Sequence, residues 1–145
     1  GYILGKGYNN GAEAYFLRIQ NDSSGLSLKA GMVNSSTFAA SWPISSWNPG
    51  EWHHVVSSWD GSGWNIFFDG VLKAQFATGN GPLKLGLPLT MGGESIGGVI
   101  AGLLACSLDE VRISTTARSS SWIATEYNNQ RYPTKFYTVG ATQTH

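Results

Sequence analysis

The chain has 145 residues, a formal net charge of zero and only 12% charged residues, about half the roughly 25% of an average soluble domain. Without a basic patch it is a poor partner for nucleic acid, and no apolar run approaches the roughly 20 residues a membrane-spanning helix needs. Hydrophobic residues at 41%, aromatics at 12% and 19 glycines suit short strands, many turns and one domain large enough for its own core.

In chain order, Tyr2-Ile3-Leu4 reads as a short strand and Gly5 to Gly11 as a glycine- and asparagine-rich loop. Ala14 to Ile19 is a strand, Asn21 to Gly25 a turn, and Leu26 to Val33 alternates with period two, the mark of a half-buried strand. Phe38 to Ser41 is a brief pairing segment, and the prolines from Trp42-Pro43 to Pro49-Gly50 predict a loop. Trp52 to Trp59 and Trp64 to Asp69 flank the turn Asp60-Gly61-Ser62-Gly63, and Asp69-Gly70 closes the second run. Aspartate followed by glycine between apolar runs is a strong hairpin signal, because glycine accepts positive φ at no steric cost.

Val71 to Ala77 continues as a strand, residues 78–82 turn, Leu89 to Gly92 is a short strand, and Ile96 to Cys106 is a glycine-apolar loop feeding a buried strand. Ser107 to Ser114 is the last clear strand, with Cys106 beside it as a small core hydrophobe; a single cysteine allows no intrachain disulfide. Ser119 to Asn129 is the one helix, its serines offering an N-cap and the asparagine pair ending it. Phe136 to Val139 reads as a closing strand and residues 141–145 as a frayed tail, so the domain spans 1–140. Turns every eight to twelve residues argue an all-β, antiparallel two-sheet β-sandwich with one short C-terminal helix.

Five segments in order carry a resemblance: Ile3-Leu4-Gly5-Lys6-Gly7, Glu51-Trp52-His53-His54-Val55, Phe68-Asp69-Gly70-Val71, Leu108-Asp109-Glu110-Val111-Arg112-Ile113-Ser114, and Thr116 to Gln130. Together they resemble a laminin-G-like, concanavalin-A-like jelly-roll domain of the kind found in secreted or surface bacterial multidomain proteins. The resemblance implies two antiparallel sheets, an extracellular setting and often a bound calcium, with Asp109 as a candidate ligand. It also implies one or two strands ahead of Ile3. The chain opens on Gly1 and reads as a mature piece or excised domain, so an open sheet edge is expected, and with it a homodimer formed by strand pairing. Asn21-Asp22-Ser23 and Asn34-Ser35-Ser36 match the glycosylation tripeptide, which counts only in a eukaryotic secretory context.

Such domains bind sugars or proteins more often than they catalyse. A sugar ring stacks its C–H face on an aromatic ring while its hydroxyls need amides, carboxylates or indole N–H groups. Trp42 and Trp47, in the proline-broken loop, are candidate platforms or loop anchors. Trp64 at the hairpin tip and Tyr8 with Asn9 and Asn10 are further candidates, whereas Trp52 and Trp59 are expected in the core and Trp122 to dock the helix. Adjacent His53 and His54 face opposite sides of a strand, so they cannot share a metal; one is expected bonded at the core edge and one exposed. Asp60 and Asp69 read as turn residues that bond their own backbone. No Glu-x-Asp-x-Glu strand, nucleophile elbow or His-Glu-x-x-His motif occurs, so the expected function is non-catalytic binding of a polysaccharide or glycan. The alternative is an extracellular protein-interaction or adhesion module of the same fold.

Overall fold

The computed structural model describes residues 1–23, 25–44, 48 and 50–136. Eleven strands come first: β1 (Tyr2–Lys6), β2 (Tyr8–Asn9), β3 (Ala12–Asp22), β4 (Gly25–Asn34), β5 (Ser36–Pro43), β6 (Val55–Trp59), β7 (Gly63–Phe68), β8 (Val71–Ala77), β9 (Leu89–Met91), β10 (Glu94–Ile96) and β11 (Val99–Ala101). Helices α1 (Ser120–Arg131) and α2 (Pro133–Phe136) follow. The strands form an eight-stranded sheet and a three-stranded sheet, the latter in the order β6-β7-β8.

Period-two alternation decides which residues meet between the sheets. In β4, Leu28, Ala30 and Met32 point inward, and in β7 Trp64, Ile66 and Phe68 do the same. Ala40 of β5 lies opposite Ala30 in register, and both are buried. Small residues there let β5 and β4 approach the smaller sheet, which they contact through β5 on β7 and β8 and through β4 on β6 and β7. Each fully buried Leu, Met or Ile of this core contributes roughly 1.5–3 kcal/mol.

Several sequence expectations change here. Trp42-Pro43 is not loop: β5 runs through Pro43, tolerated at the end of an edge strand where no ladder donor is needed. The histidine run is not strand; β6 begins only at Val55, and Trp52 is 64% exposed rather than in the core. Residues 107–114 form no strand, and Leu108, Val111 and Ile113 are exposed along with Cys106. Arg112 ties this segment down by bonds to Glu110 and Glu126 instead of a ladder. Phe136 ends α2 rather than opening a strand, and residues 137–145 lie outside the described residues. The edge expected at β1 is paired on both sides, by β3 and by β9.

Helix α1 starts where its serines predict. Ser119 is the N-cap, and its Oγ accepts from the Trp122 N–H at 3.2 Å. The helix runs past the asparagine pair to Arg131, with Ile123 as its buried contact. Trp122 stays 43% exposed, with the Arg118 guanidinium stacked over its ring at 4.9 Å.

Candidate functional site

Because Trp64, Ile66 and Phe68 face the core, Asn65 and Phe67 face the opposite side of the three-stranded sheet. Register then lines up two rows on that side. Ser58, Asn65 and Gln75 stand opposite one another across β6, β7 and β8, and Val56, Phe67 and Leu72 form the next row. One row is polar and the other apolar. Arg118, Ser119 and Ser120, entering α1, wall the rows into a cleft of about 230 Å³.

The polar row is tied together before any ligand arrives. Asn65 is almost fully buried; its Nδ2 donates to Asp60 Oδ2 at 3.0 Å, and its Oδ1 accepts from Gln75 Nε2 at 2.7 Å. Asp60 Oδ1 accepts from the Ser62 and Gly63 N–H groups at 2.9 and 3.0 Å and from Ser62 Oγ at 2.8 Å. These donors, the Ser62 backbone first, hold the Asp60 carboxyl down at about 2. It is therefore a fixed acceptor at any physiological pH. Arg118 has no ion-pair partner among the described residues, so its donors are available at the cleft wall.

The residues singled out from sequence are dispersed. Trp64 is 3% exposed and belongs to the core, its Nε1–H donating to the Asn80 carbonyl at 3.0 Å; neither ring face is free for a ligand. Trp42 is half-buried, with its ring 4.8 Å from that of Phe68 and Lys73 over it. It anchors β5 rather than a loop. Tyr8 lies half-buried in β2, paired with Glu13 and Ile96, and Asn10 is exposed in the adjoining turn; both belong to the larger sheet. Trp47 lies outside the described residues. Asp109 is exposed, and its Oδ1 accepts from the Glu110 N–H at 2.8 Å. No group of three or more histidine, cysteine or acidic side chains converges on a metal position among the described residues.

The histidine pair is a second polar cluster, and neither ring is exposed. His53 Nδ1 lies 3.0 Å from Asp69 Oδ2, and Asp69 Oδ1 accepts from the His54 N–H at 3.0 Å. Asp69 thus serves the histidine segment rather than its own turn. His54 Nε2 is 3.8 Å from Glu126 Oε2 on α1, and burial holds the His54 ring below its usual range despite Glu126. These contacts join the hairpin to the helix.

Two packed sheets, antiparallel apart from the β2–β10 pair, with a helix after the last strand are the frame of a lectin-type sandwich. A family profile described as the Concanavalin A-like lectin/glucanases superfamily matches residues 2–124. The chain belongs to this superfamily. No curated protein and no solved structure matches it. Laminin-G-like members of the superfamily are generally non-catalytic carbohydrate-binding or adhesion modules, while its glucanases hydrolyse glycans. The sequence missed the cleft because its members are spread over β6, β7, β8 and the entry to α1. The only early sign was Asp60-Gly61, which fixes the turn that anchors the polar row.

Proposed function

We propose that this lectin/glucanase-superfamily domain is a non-catalytic carbohydrate-binding module whose site is the cleft on the outer side of β6-β7-β8. The observation that carries this reading is the adjacency of the pre-bonded Asp60–Asn65–Gln75 row to the Phe67–Leu72 row. A sugar ring presents hydroxyls on its edge and C–H groups on its face, and the two rows offer a partner to each. Asp60 and Gln75 accept and donate to hydroxyls, Arg118 donates from the opposite wall, and the partly exposed Leu72 takes the apolar face above the buried Phe67. The cleft is smaller than the roughly 300–1,000 Å³ of drug-sized pockets, so it suits one sugar residue of a longer chain, with affinity in the micromolar to millimolar range.

Hydrolysis has less support. A glycosidase needs two carboxyl groups, one of them protonated at working pH. Asp60 is the single carboxyl lining the cleft among the described residues, and it is held ionised. An extracellular location fits a polysaccharide-binding role, and no helix among the described residues is long and apolar enough to cross a membrane.

The test is affinity electrophoresis against β-glucans, xylans, mannans, pectins and α-glucans, with and without EDTA. One polymer class is expected to retard the domain; Arg118→Ala should weaken retardation about tenfold or more with Tm within a degree or two of the parent, and Gln75→Ala should weaken it likewise while lowering Tm, because it removes the donor to buried Asn65 Oδ1. Retardation unchanged in both variants would move the site elsewhere. No retardation by any polymer would favour the protein-interaction reading, which has its own support in the exposed apolar residues Val99, Leu103 and Ile113.

A further inference from the structure

We infer that Glu13 and Glu94 form a proton-held latch that clamps the β10–β11 hairpin onto the outer face of β1 and β3. Glu13 comes from β3 and Glu94 from β10, 81 positions later in sequence, yet both side chains are fully buried. They lie on the side of the larger sheet away from the core, where an apolar pair would cost less. Glu13 Oε1 and Oε2 and Glu94 Oε1 are all buried and find no donor. Two carboxylates offer each other only acceptors, so a hydrogen bond between them needs a proton on one. With that proton in place, the pair keeps a single negative charge to match Arg18, whose Nη1 is 3.6 Å from Glu13 Oε2.

The surroundings are built around this arrangement. Arg18 Nη1 donates to the Tyr2 hydroxyl at 2.6 Å and stacks over Phe16 at 4.1 Å. Tyr2 is pushed far up by burial and then by its bond to Glu94, so it stays a neutral donor. Gly5 of β1 lies under the latch: a Cβ there would come within 3.1 Å of Glu94 Oε1. Beside the latch, β10 meets the rest of its sheet at one register pair, Ile96 with Tyr8, and backbone bonds from the Gly97 N–H to the Tyr8 carbonyl at 3.0 Å and from the Tyr2 N–H to the Gly102 carbonyl at 2.8 Å hold the hairpin's ends. The titratable and charged groups facing the pair are Tyr2 from β1 and Arg18 from β3, with Tyr8 of β2 beside Glu13 in register. Strands β9 and β11 carry no titratable side chain.

Burial, then the bond to Glu94, raises the Glu13 carboxyl from 4.5 to about 9. A raised carboxyl contributes stability that is full below the unfolded value and is lost as pH rises toward the folded one. The window is therefore pH 4.5 to 9. One proton bound in the folded state and absent from the unfolded state lowers the folding constant by up to about tenfold per pH unit.

The experiment is thermal unfolding of the whole chain from pH 6.5 to 9, with hydrogen exchange of residues 94–101 corrected for intrinsic rates. The parent should lose Tm and hairpin protection steadily as pH rises. Glu13→Gln supplies a permanent donor of the same shape, so its Tm and protection should be flat over that range; Glu94→Gln should behave alike. A parent with no pH dependence, or a Gln variant keeping the parental slope, would overturn the latch. Failure of both amide variants to fold would overturn it too, because an amide reproduces the neutral acid. Stabilisation of the parent, but not of Glu13→Gln, by added calcium or magnesium would reassign the pair to a cation.

Discussion

Asp60 shows how much a single side chain can settle. Its carboxylate closes the β6–β7 turn through Ser62 and Gly63 and reaches Asn65 at the head of the polar row. The turn role was legible, since aspartate before glycine bonds backbone two residues on. The link to Asn65 was not, because nothing in Trp64-Asn65-Ile66 says which amide neighbours it across the sheet. Its depressed carboxyl contributes stability that is present above about pH 4 and lost as pH falls toward 2. Asp60→Asn should accordingly lower Tm at pH 7 and flatten the acid limb between pH 4 and 2, measured by circular dichroism melts. It should also weaken glycan retardation. A variant with the parental acid limb would remove Asp60 from the turn's electrostatics. The tryptophans teach the opposite lesson: Trp52 is exposed because it precedes β6 and belongs to no strand, whereas Trp64 lies within β7 on the face that meets the other sheet.

Among elements, the β7–β8 turn packs closely on α1. Gly70 has φ of 76°, and a Cβ on it would sit 3.0 Å from the Tyr127 ring and 3.2 Å from Ala124 Cα. Strain and contact act together, so Gly70→Ala should destabilise the domain by about 1–3 kcal/mol, seen as a lowered denaturation midpoint in urea. A variant as stable as the parent would mean that the helix docks elsewhere. The glycine was visible in the sequence as half of Asp69-Gly70. Its contact with the helix was not, since Tyr127 lies 57 positions later and its approach depends on how α1 packs. Residues 107–114 went the other way. Their Val111 and Ile113 alternate like a strand, but a strand needs a partner edge as well as a pattern, and here Arg112 bonds Glu110 and Glu126 instead.

At the scale of the whole molecule, eight strands face three, and a run of apolar side chains from Met91 to Ile113 remains uncovered. Cys106 lies in that run and is exposed. It should react with a thiol reagent such as DTNB under native conditions at a rate within about tenfold of the unfolded chain. Protection until unfolding would show residues 103–114 packed away in solution, as a strand or against a second copy.

The sequence by itself determined the all-β class, the alternation of β3 and β4, the Asp-Gly turns and the serine cap of α1. Each depends on residues within a few positions of one another, where pattern, φ preference and local hydrogen bonding suffice. The tertiary structure alone decided the Ser58–Asn65–Gln75 row, the cleft wall at Arg118 and the meeting of Glu13 with Glu94. Those depend on strand register and on which sheet face is left for another element to cover, and burial there, rather than residue type, turns an ordinary glutamate into a proton holder.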